Sequence, residues 1–238
     1  MTVVTPTIFV AYVLLIALSL FLDPKRKKVH PKGKYSILNM LLFSTFKMLF
    51  AIGFVIVIAL TRRVSLSRVL GFSGFSLSWQ SIGFGIIAAF GFVLIYVLWQ
   101  VLASRISKKI QADEAASGMI DLLPKQWLPL ALLFLTISLE AGLLEEIFFR
   151  GIMQTNFSNF IASLWAIVIS GILFGFAHFY QGRSGVVGTS VLGIWLGVTY
   201  AATGNLLVPI VGHFFGDFAC MMLGAKTIMR RKNDSKNN

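Results

Sequence analysis

The sequence predicts an all-α protein, a polytopic bundle of transmembrane helices, and three observations lead to this prediction. Of its 238 residues, 57% are hydrophobic and only 13% are charged, a composition too apolar for an ordinary soluble domain. The apolar residues lie in long runs that short basic loops separate. Cys220 is the only cysteine, so an internal disulfide and a cysteine-based metal site are both excluded.

The apolar runs predict seven membrane spans, since a helix needs about 20 apolar residues to cross a bilayer. The spans are Ile8–Leu22, Ile37–Leu60, Trp79–Leu102, Leu130–Phe157, Ile161–Tyr180, Val186–Ala202 and Leu206–Ala225. The segment before the first run has no basic residue, so we expect a retained helix rather than a signal peptide. An eighth helix, short or interfacial, fits around Arg68–Ser78 or Ile110–Trp127. One membrane domain then covers residues 1–226, and a basic polar tail covers 227–238.

The basic residues predict how the helices are oriented. With the N-terminus outside, 16 of the 21 Lys and Arg residues fall in cytoplasmic segments and three fall outside, while Lys47 and Arg150 lie within spans. The positive-inside rule then places the C-terminus and the tail in the cytoplasm. The formal net charge of +12 is explained by this topology and by the lipid bilayer, so we expect no nucleic-acid partner.

Ionisable residues inside the predicted spans are the candidates for chemistry. A charged side chain near the bilayer centre costs about 2.5 to 3.5 kcal/mol, so such a residue is a functional-site hypothesis by default. Only nine residues are acidic, yet four of them, Glu140, Glu145, Glu146 and Asp217, lie in apolar segments. We expect Glu140 near the cytoplasmic opening or paired with a polar neighbour, and the other three at a common site.

Helix spacing predicts how these residues face one another. Glu146 and Arg150 are four apart, so they share a face and form an ion pair that lowers the cost of burying both. Glu145 points about 100° away from Glu146 in an α-helix and lacks that partner, which suits it to take and return a proton. His213 and Asp217 are also four apart, so the carboxylate can orient or charge-stabilise the imidazole.

Depth in the membrane brings His178 into the same group. If the turn between the fourth and fifth spans lies near Phe160, Glu145 precedes it by 15 residues and His178 follows it by 18. At about 1.5 Å of rise per residue, the two side chains lie within roughly 5 Å of the same level. Both are then on the cytoplasmic side of that hairpin.

Pairs of glycines at four-residue spacing predict close packing of the helices that carry the histidines. The pairs are Gly171 with Gly175, Gly193 with Gly197, and Gly212 with Gly216. Close helices would bring His178 and His213 within reach of Glu145. No longer internal repeat is evident, which disfavours a transporter built from inverted halves.

Three motifs on successive helices now stand in a specific order and spacing. They are Glu145-Glu146-x-x-x-Arg150, then Phe174-x-x-x-His178, then His213-x-x-x-Asp217. This set resembles the CAAX protease and bacteriocin-processing (CPBP, or Abi) family of intramembrane endopeptidases, which includes the type II prenyl-protein proteases. The resemblance covers about residues 130–225, the expected catalytic core. In the prenyl-protein branch the last motif commonly ends in Asn, so Asp217 favours the bacterial branch and a bacterial cell membrane.

The resemblance implies a role for each motif residue. Glu145 would activate water for attack on a peptide bond, and His178 would share the water or pass the proton. His213 and Asp217 would stabilise the oxyanion or hold the scissile carbonyl, with Asp217 either protonated or acting through His213. Glu146 and Arg150 would brace the site. The substrate would be a membrane-associated peptide or protein, and no cofactor is favoured.

Several other interpretations remain open at this point. A zinc site made by Glu145, His178 and His213 is the alternative to a metal-free mechanism. Glu and His chains also form proton relays in transporters. A non-catalytic membrane scaffold or bacteriocin-immunity protein is a further alternative, and a buried ion-pair network that fixes helix register is the purely structural one.

Overall fold

The structure is a computed structural model that describes residues 37–61, 63–106, 123–124 and 126–234. The predicted first span, Ile8–Leu22, lies outside the described residues. So does most of the predicted extra helix at Ile110–Trp127.

Six helices of fourteen or more residues form the described part of the chain, and it contains no strand. They are α1 (Ile37–Thr61), α2 (Trp79–Ile106), α3 (Trp127–Phe157), α4 (Ser163–Ala177), α5 (Gly182–Thr203) and α6 (Leu207–Asp234). Among these residues, four stretches are long and apolar enough to cross a membrane: α2 to Arg105, α3, α5, and α6 to Ala225. The all-α membrane fold is confirmed, and the chain is an integral membrane protein.

The predicted boundaries differ most from the structure in three places. The fifth predicted span, Ile161–Tyr180, contains a shorter helix because α4 ends at Ala177 and a single 3₁₀ turn follows it. The extra helix predicted around Arg68–Ser78 is reduced to one helical turn, Leu66–Val69. Helix α6 continues through Asp234, so most of the predicted polar tail has helical backbone.

The middle of α3 is not a regular α-helix. Ala141–Glu145 and Ile147–Gln154 form π-helix, in which i→i+5 hydrogen bonds replace i→i+4 bonds and widen each turn. The 100° rotation expected between neighbouring residues therefore does not apply to this segment. Such π turns occur preferentially at functional sites, and this one carries the first predicted motif.

Helices α2 and α6 run parallel and pack closely. A Cβ atom added to Gly212 would meet the Cβ of Ala88 at 2.8 Å, and one added to Gly216 would meet the Phe92 ring at 2.6 Å. The glycines therefore let the two backbones approach, as predicted. The pairing of positions 88 with 212 and 92 with 216 fixes the register of the two helices.

Helices α4 and α5 approach each other in the same way. A Cβ on Gly193 would lie 3.0 Å from the Cα of Gly171, and Gly175 faces Ser190 and the Val186 carbonyl. This close contact holds the end of α4, which carries His178, against the start of α5.

The segment between α1 and α2 folds back onto one end of the bundle, which we call the capped end (residues 63–78, 158–162 and 204–206). The Asn156 side chain donates a hydrogen bond to the Val69 carbonyl at 3.3 Å, and the Tyr200 hydroxyl donates to the Gly71 carbonyl at 3.2 Å. Gly71 has φ +76 and lies against Gly151, so only glycine suits this turn. We call the opposite end, where α4 meets α5, the His178 end.

Candidate active site

A fully buried ion pair lies at the centre of the bundle. Arg150 Nη1 donates to Glu146 Oε1 at 2.8 Å, and both side chains have no exposed surface. Arg150 Nη2 also donates to the Gly193 carbonyl on α5 at 2.7 Å. The predicted pairing of Glu146 with Arg150 is confirmed, and a buried pair of this kind is tolerated only when its geometry and hydrogen bonds are good.

His213 on α6 lies between two carboxylates. Its Nδ1 is 2.7 Å from Glu146 Oε1, and its Nε2 is 3.4 Å from Asp217 Oδ2. The predicted partner, Asp217, is therefore present, but Glu146 makes the shorter contact. The ring is 2% exposed and stacks on Phe92 of α2, with centroids 5.7 Å apart. Both ring nitrogens of His213 thus face carboxylate acceptors.

His178 faces Glu145 directly beyond the end of α4. Its Nδ1 lies 2.9 Å from the Phe174 carbonyl, which can only accept, so Nδ1 carries the proton in this contact. Its Nε2 is then directed at Glu145 Oε2, 3.8 Å away. The two side chains are each 14% exposed, so this pair is more accessible than the buried ion pair behind it.

Phe174 connects the two pairs. Its ring centroid lies 4.7 Å from that of His178 and 5.7 Å from that of His213, and the Arg150 guanidinium carbon is 4.8 Å from it. From the sequence, Phe174 was marked only by its four-residue spacing to His178. The structure adds an edge-to-face contact with His213 and a cation–π contact with Arg150, so one ring fixes three of the polar side chains.

All six predicted site residues come together, because both histidines and Arg150 pack on the Phe174 ring and the two histidines contact the three carboxylates. Asp217 is the most exposed, at 28%. Glu140 lies outside this group. As predicted, it has a polar partner, because Thr45 Oγ1 on α1 donates to Glu140 Oε1 at 2.9 Å.

Two further contacts of the site were not predicted from the sequence. Gln154 Nε2 donates to the Gly197 carbonyl at 2.9 Å, one turn beyond the Arg150 bond to the Gly193 carbonyl. Arg150 and Gln154 on α3 have the same four-residue spacing as Gly193 and Gly197 on α5. The two side chains therefore form parallel hydrogen bonds to the α5 backbone. The signal was a Gln in an apolar span four residues after Arg150. Phe92 gave no signal, because an aromatic residue in a membrane helix is unremarkable.

The alternative zinc site requires Glu145, His178 and His213 as ligands. The described residues contain no group of three His, Cys, Asp or Glu side chains that could hold a metal ion. Both nitrogens of His213 face Glu146 and Asp217, whereas a zinc ligand must direct a nitrogen lone pair at the metal. The three side chains of that zinc set are thus not arranged as a ligand shell in this structure.

The comparisons with known proteins agree with the motifs. Residues 126–219 match a family described as type II CAAX prenyl endopeptidase Rce1-like. The uncharacterized protein YpbD of Bacillus subtilis (strain 168) is 34% identical over 107 residues, 43% of this chain and 51% of YpbD. The chain thus spans about half the length of this curated relative. No solved structure matches it. The matched range contains all three motifs, so the predicted family resemblance is confirmed.

Proposed function

We propose that this protein is an intramembrane endopeptidase in which Glu145 activates the water that hydrolyses a peptide bond. The observation that carries the proposal is the Glu145–His178 pair, partly exposed and with facing atoms 3.8 Å apart. A contact of this length suits a water held between the two groups better than a direct hydrogen bond. The family match over residues 126–219 supports the same reaction class.

Glu145 and His178 have different roles in the reaction. Glu145 accepts a proton from the water as the water oxygen bonds to the scissile carbonyl carbon. His178 accepts a second hydrogen bond through Nε2 and thereby orients the water. When the tetrahedral intermediate breaks its C–N bond, Glu145 returns the proton to the leaving amine. The water is thus divided between the new carboxyl and amino groups, and no cofactor is consumed.

The buried ion pair supports this reaction without touching the water. Arg150 balances the charge of Glu146 and ties α3 to α5, and Glu146 holds His213 through a 2.7 Å contact. His213 in turn contacts Asp217 Oδ2 through Nε2 at 3.4 Å. Preorganised charges of this kind stabilise a transition state because they need not reorient during the reaction.

Substrate access follows from the two ends of the bundle. At the capped end, hydrogen bonds from Asn156, Tyr200 and Asn205 hold the segment before α2 against the bundle, whereas the Glu145–His178 pair lies toward the other end. We infer that a membrane-associated peptide or protein reaches Glu145 from the His178 end, which the distribution of basic residues places in the cytoplasm.

Membrane peptidomics tests the proposal as a whole. Cells that express the wild-type protein or the Glu145→Gln variant are compared, with Glu140→Gln as a matched control on the same helix. We expect at least one peptide product that requires Glu145 and persists in the Glu140→Gln cells. Identical peptide profiles in all three would contradict an endopeptidase and favour a scaffold or transporter.

A metal-free mechanism predicts that chelation leaves most of the activity. The purified protein should contain substoichiometric zinc, and prolonged treatment with 1,10-phenanthroline should leave turnover largely intact. Added zinc should inhibit, because it occupies the Glu and His groups that hold the water. Stoichiometric zinc, with activity lost on chelation and restored by zinc, would instead make Glu145 a metal ligand or a metal-assisted base.

The orientation can be measured by cysteine labelling in a Cys220→Ser background. Ser67 and Ser158 are exposed at the capped end, and Ser104 is exposed near the opposite end of α2. With single cysteines at these positions, a membrane-impermeant maleimide should label Ser67→Cys and Ser158→Cys in intact cells, and Ser104→Cys only after lysis. The reverse pattern would show that the site opens to the outside.

A further inference from the structure

During peptide hydrolysis, negative charge develops on the carbonyl oxygen. A hydrogen-bond donor that faces this oxygen usually makes the largest electrostatic contribution to stabilising the transition state. The six motif residues offer few such donors. Arg150 is fully buried and bonded to Glu146 and Gly193. Both nitrogens of His213 face carboxylates, and an ionised Asp217 can only accept. A donor from another part of the chain is therefore needed beside Asp217.

Helix α2 forms the wall of the site next to Asp217. Its Phe92 stacks on His213 and fits against Gly216. Because α2 and α6 are parallel and in register, the next turn of α2 brings Tyr96 to the level of Cys220. Tyr96 indeed packs, partly buried, against the cluster that contains Phe92 and Cys220.

The register of α2 and α6 also places Asp217 beside Tyr96. Phe92 contacts both His213 and Gly216, and the same register one turn later sets Tyr96 opposite Asp217 and Cys220. Asp217 contacts His213 Nε2 at 3.4 Å and is partly exposed, so it lies at the accessible edge of the site. A phenol can accept one hydrogen bond and still donate its own O–H.

We propose that Tyr96 is a further catalytic residue, whose hydroxyl donates a hydrogen bond to the substrate carbonyl oxygen beside Asp217. This inference rests on the proposed endopeptidase function. It gives α2, which carries none of the three motifs, a direct part in the reaction. The aromatic ring is anchored by the packing of α2 on α6, so the donor is held in place before the substrate arrives, as transition-state stabilisation requires.

The test removes only the hydroxyl. Tyr96→Phe is reconstituted in liposomes and assayed with a quenched fluorescent peptide made to the cleavage site that the Glu145→Gln comparison identifies. We expect kcat to fall about a hundredfold, the scale for loss of one oxyanion donor. KM and the thermal unfolding temperature should change little, because the hydroxyl acts in the transition state.

Tyr200→Phe is the matched control. Tyr200 is also a partly buried tyrosine, but its hydroxyl bonds to Thr155 and the Gly71 carbonyl at the capped end. We expect this variant to unfold at a lower temperature and to keep its kcat. If Tyr96→Phe behaves like Tyr200→Phe, the role of Tyr96 is structural and the inference is wrong.

Repeating Tyr96→Phe in an Asp217→Asn variant tests specifically whether Tyr96 acts by donating a hydrogen bond. Asp217→Asn places an amide donor beside Tyr96, so the Tyr96→Phe loss should be smaller there than in the wild-type background. An equal loss in both backgrounds would contradict a shared role at the carbonyl oxygen. Failure of the proposed function can be distinguished from failure of this inference. If the proposed function is wrong, Glu145→Gln cleaves the peptide as fast as the wild-type protein does.

Discussion

Replacing Glu145 with Gln should abolish turnover while the protein still folds and inserts. The amide keeps the size of the carboxylate but cannot take a proton from water, and loss of a general base typically costs about 10² to 10⁴ in rate. Folding should survive because a neutral side chain is cheaper to bury than a charged one. The measurement is the turnover of the purified variant on a synthetic peptide substrate, together with its unfolding temperature in detergent.

Glu140→Gln is the appropriate control for this prediction. It makes the same chemical change on the same helix, five residues earlier, at a carboxylate whose hydrogen-bond partner is Thr45 rather than a histidine. This variant should keep most of its turnover. If Glu145→Gln cleaves normally, Glu145 is not the base. If both variants lose activity equally, the loss reflects the charge of α3 and not the position of Glu145.

The sequence predicted several contacts of the candidate site, because burying charge in a membrane is costly and restricts where such residues occur. Glu146 and Arg150 at four-residue spacing predicted an ion pair, and the structure contains it at 2.8 Å. The depth argument for Glu145 and His178 also succeeded, because helix rise is nearly constant and the hairpin turn was placed correctly. Glycine spacing predicted which helices approach closely, since only small residues allow backbones to meet.

Other features of the site could not be predicted from the sequence. The short contact of His213 with Glu146 depends on how α3 and α6 are rotated, whereas the four-residue spacing pointed only to Asp217. The carbonyls of Gly193 and Gly197 accept hydrogen bonds, but every residue has a carbonyl, so none stands out. The π turns of α3 change which residues share a face without any change in hydrophobicity.

The boundaries that were wrong have a related cause. The apolar run that was read as a span to Tyr180 continues past the end of α4, because hydrophobicity does not record where helical hydrogen bonding stops. At that point the backbone turns at His178, and the Phe174 carbonyl meets the His178 ring. The end of the helix thus positions the histidine, and an unbroken helix would carry it away from Glu145.

Replacing Arg150 with Met should produce the largest loss of stability. Met fills much of the space but leaves Glu146 without its counter-ion in a site with no exposed surface. It also removes the hydrogen bond to the Gly193 carbonyl that ties α3 to α5. Breaking a buried pair by removing one partner typically costs about 3 to 5 kcal/mol, so we expect a strongly lowered unfolding temperature in detergent and no turnover.

A double variant separates the effect of the unpaired Glu146 charge on stability from the effect of the lost packing. In Glu146→Gln/Arg150→Met the buried carboxylate is neutralised, and replacing both members of a buried pair is far less destabilising than removing one. The double variant should therefore unfold at a higher temperature than Arg150→Met alone, although it stays inactive because His213 has lost one of its two carboxylate partners. If Arg150→Met unfolds at the wild-type temperature, or if the double variant is no more stable than the single one, the buried charge of Glu146 does not depend on Arg150. The brace between α3 and α5 must then come from Gln154 and the glycine contacts.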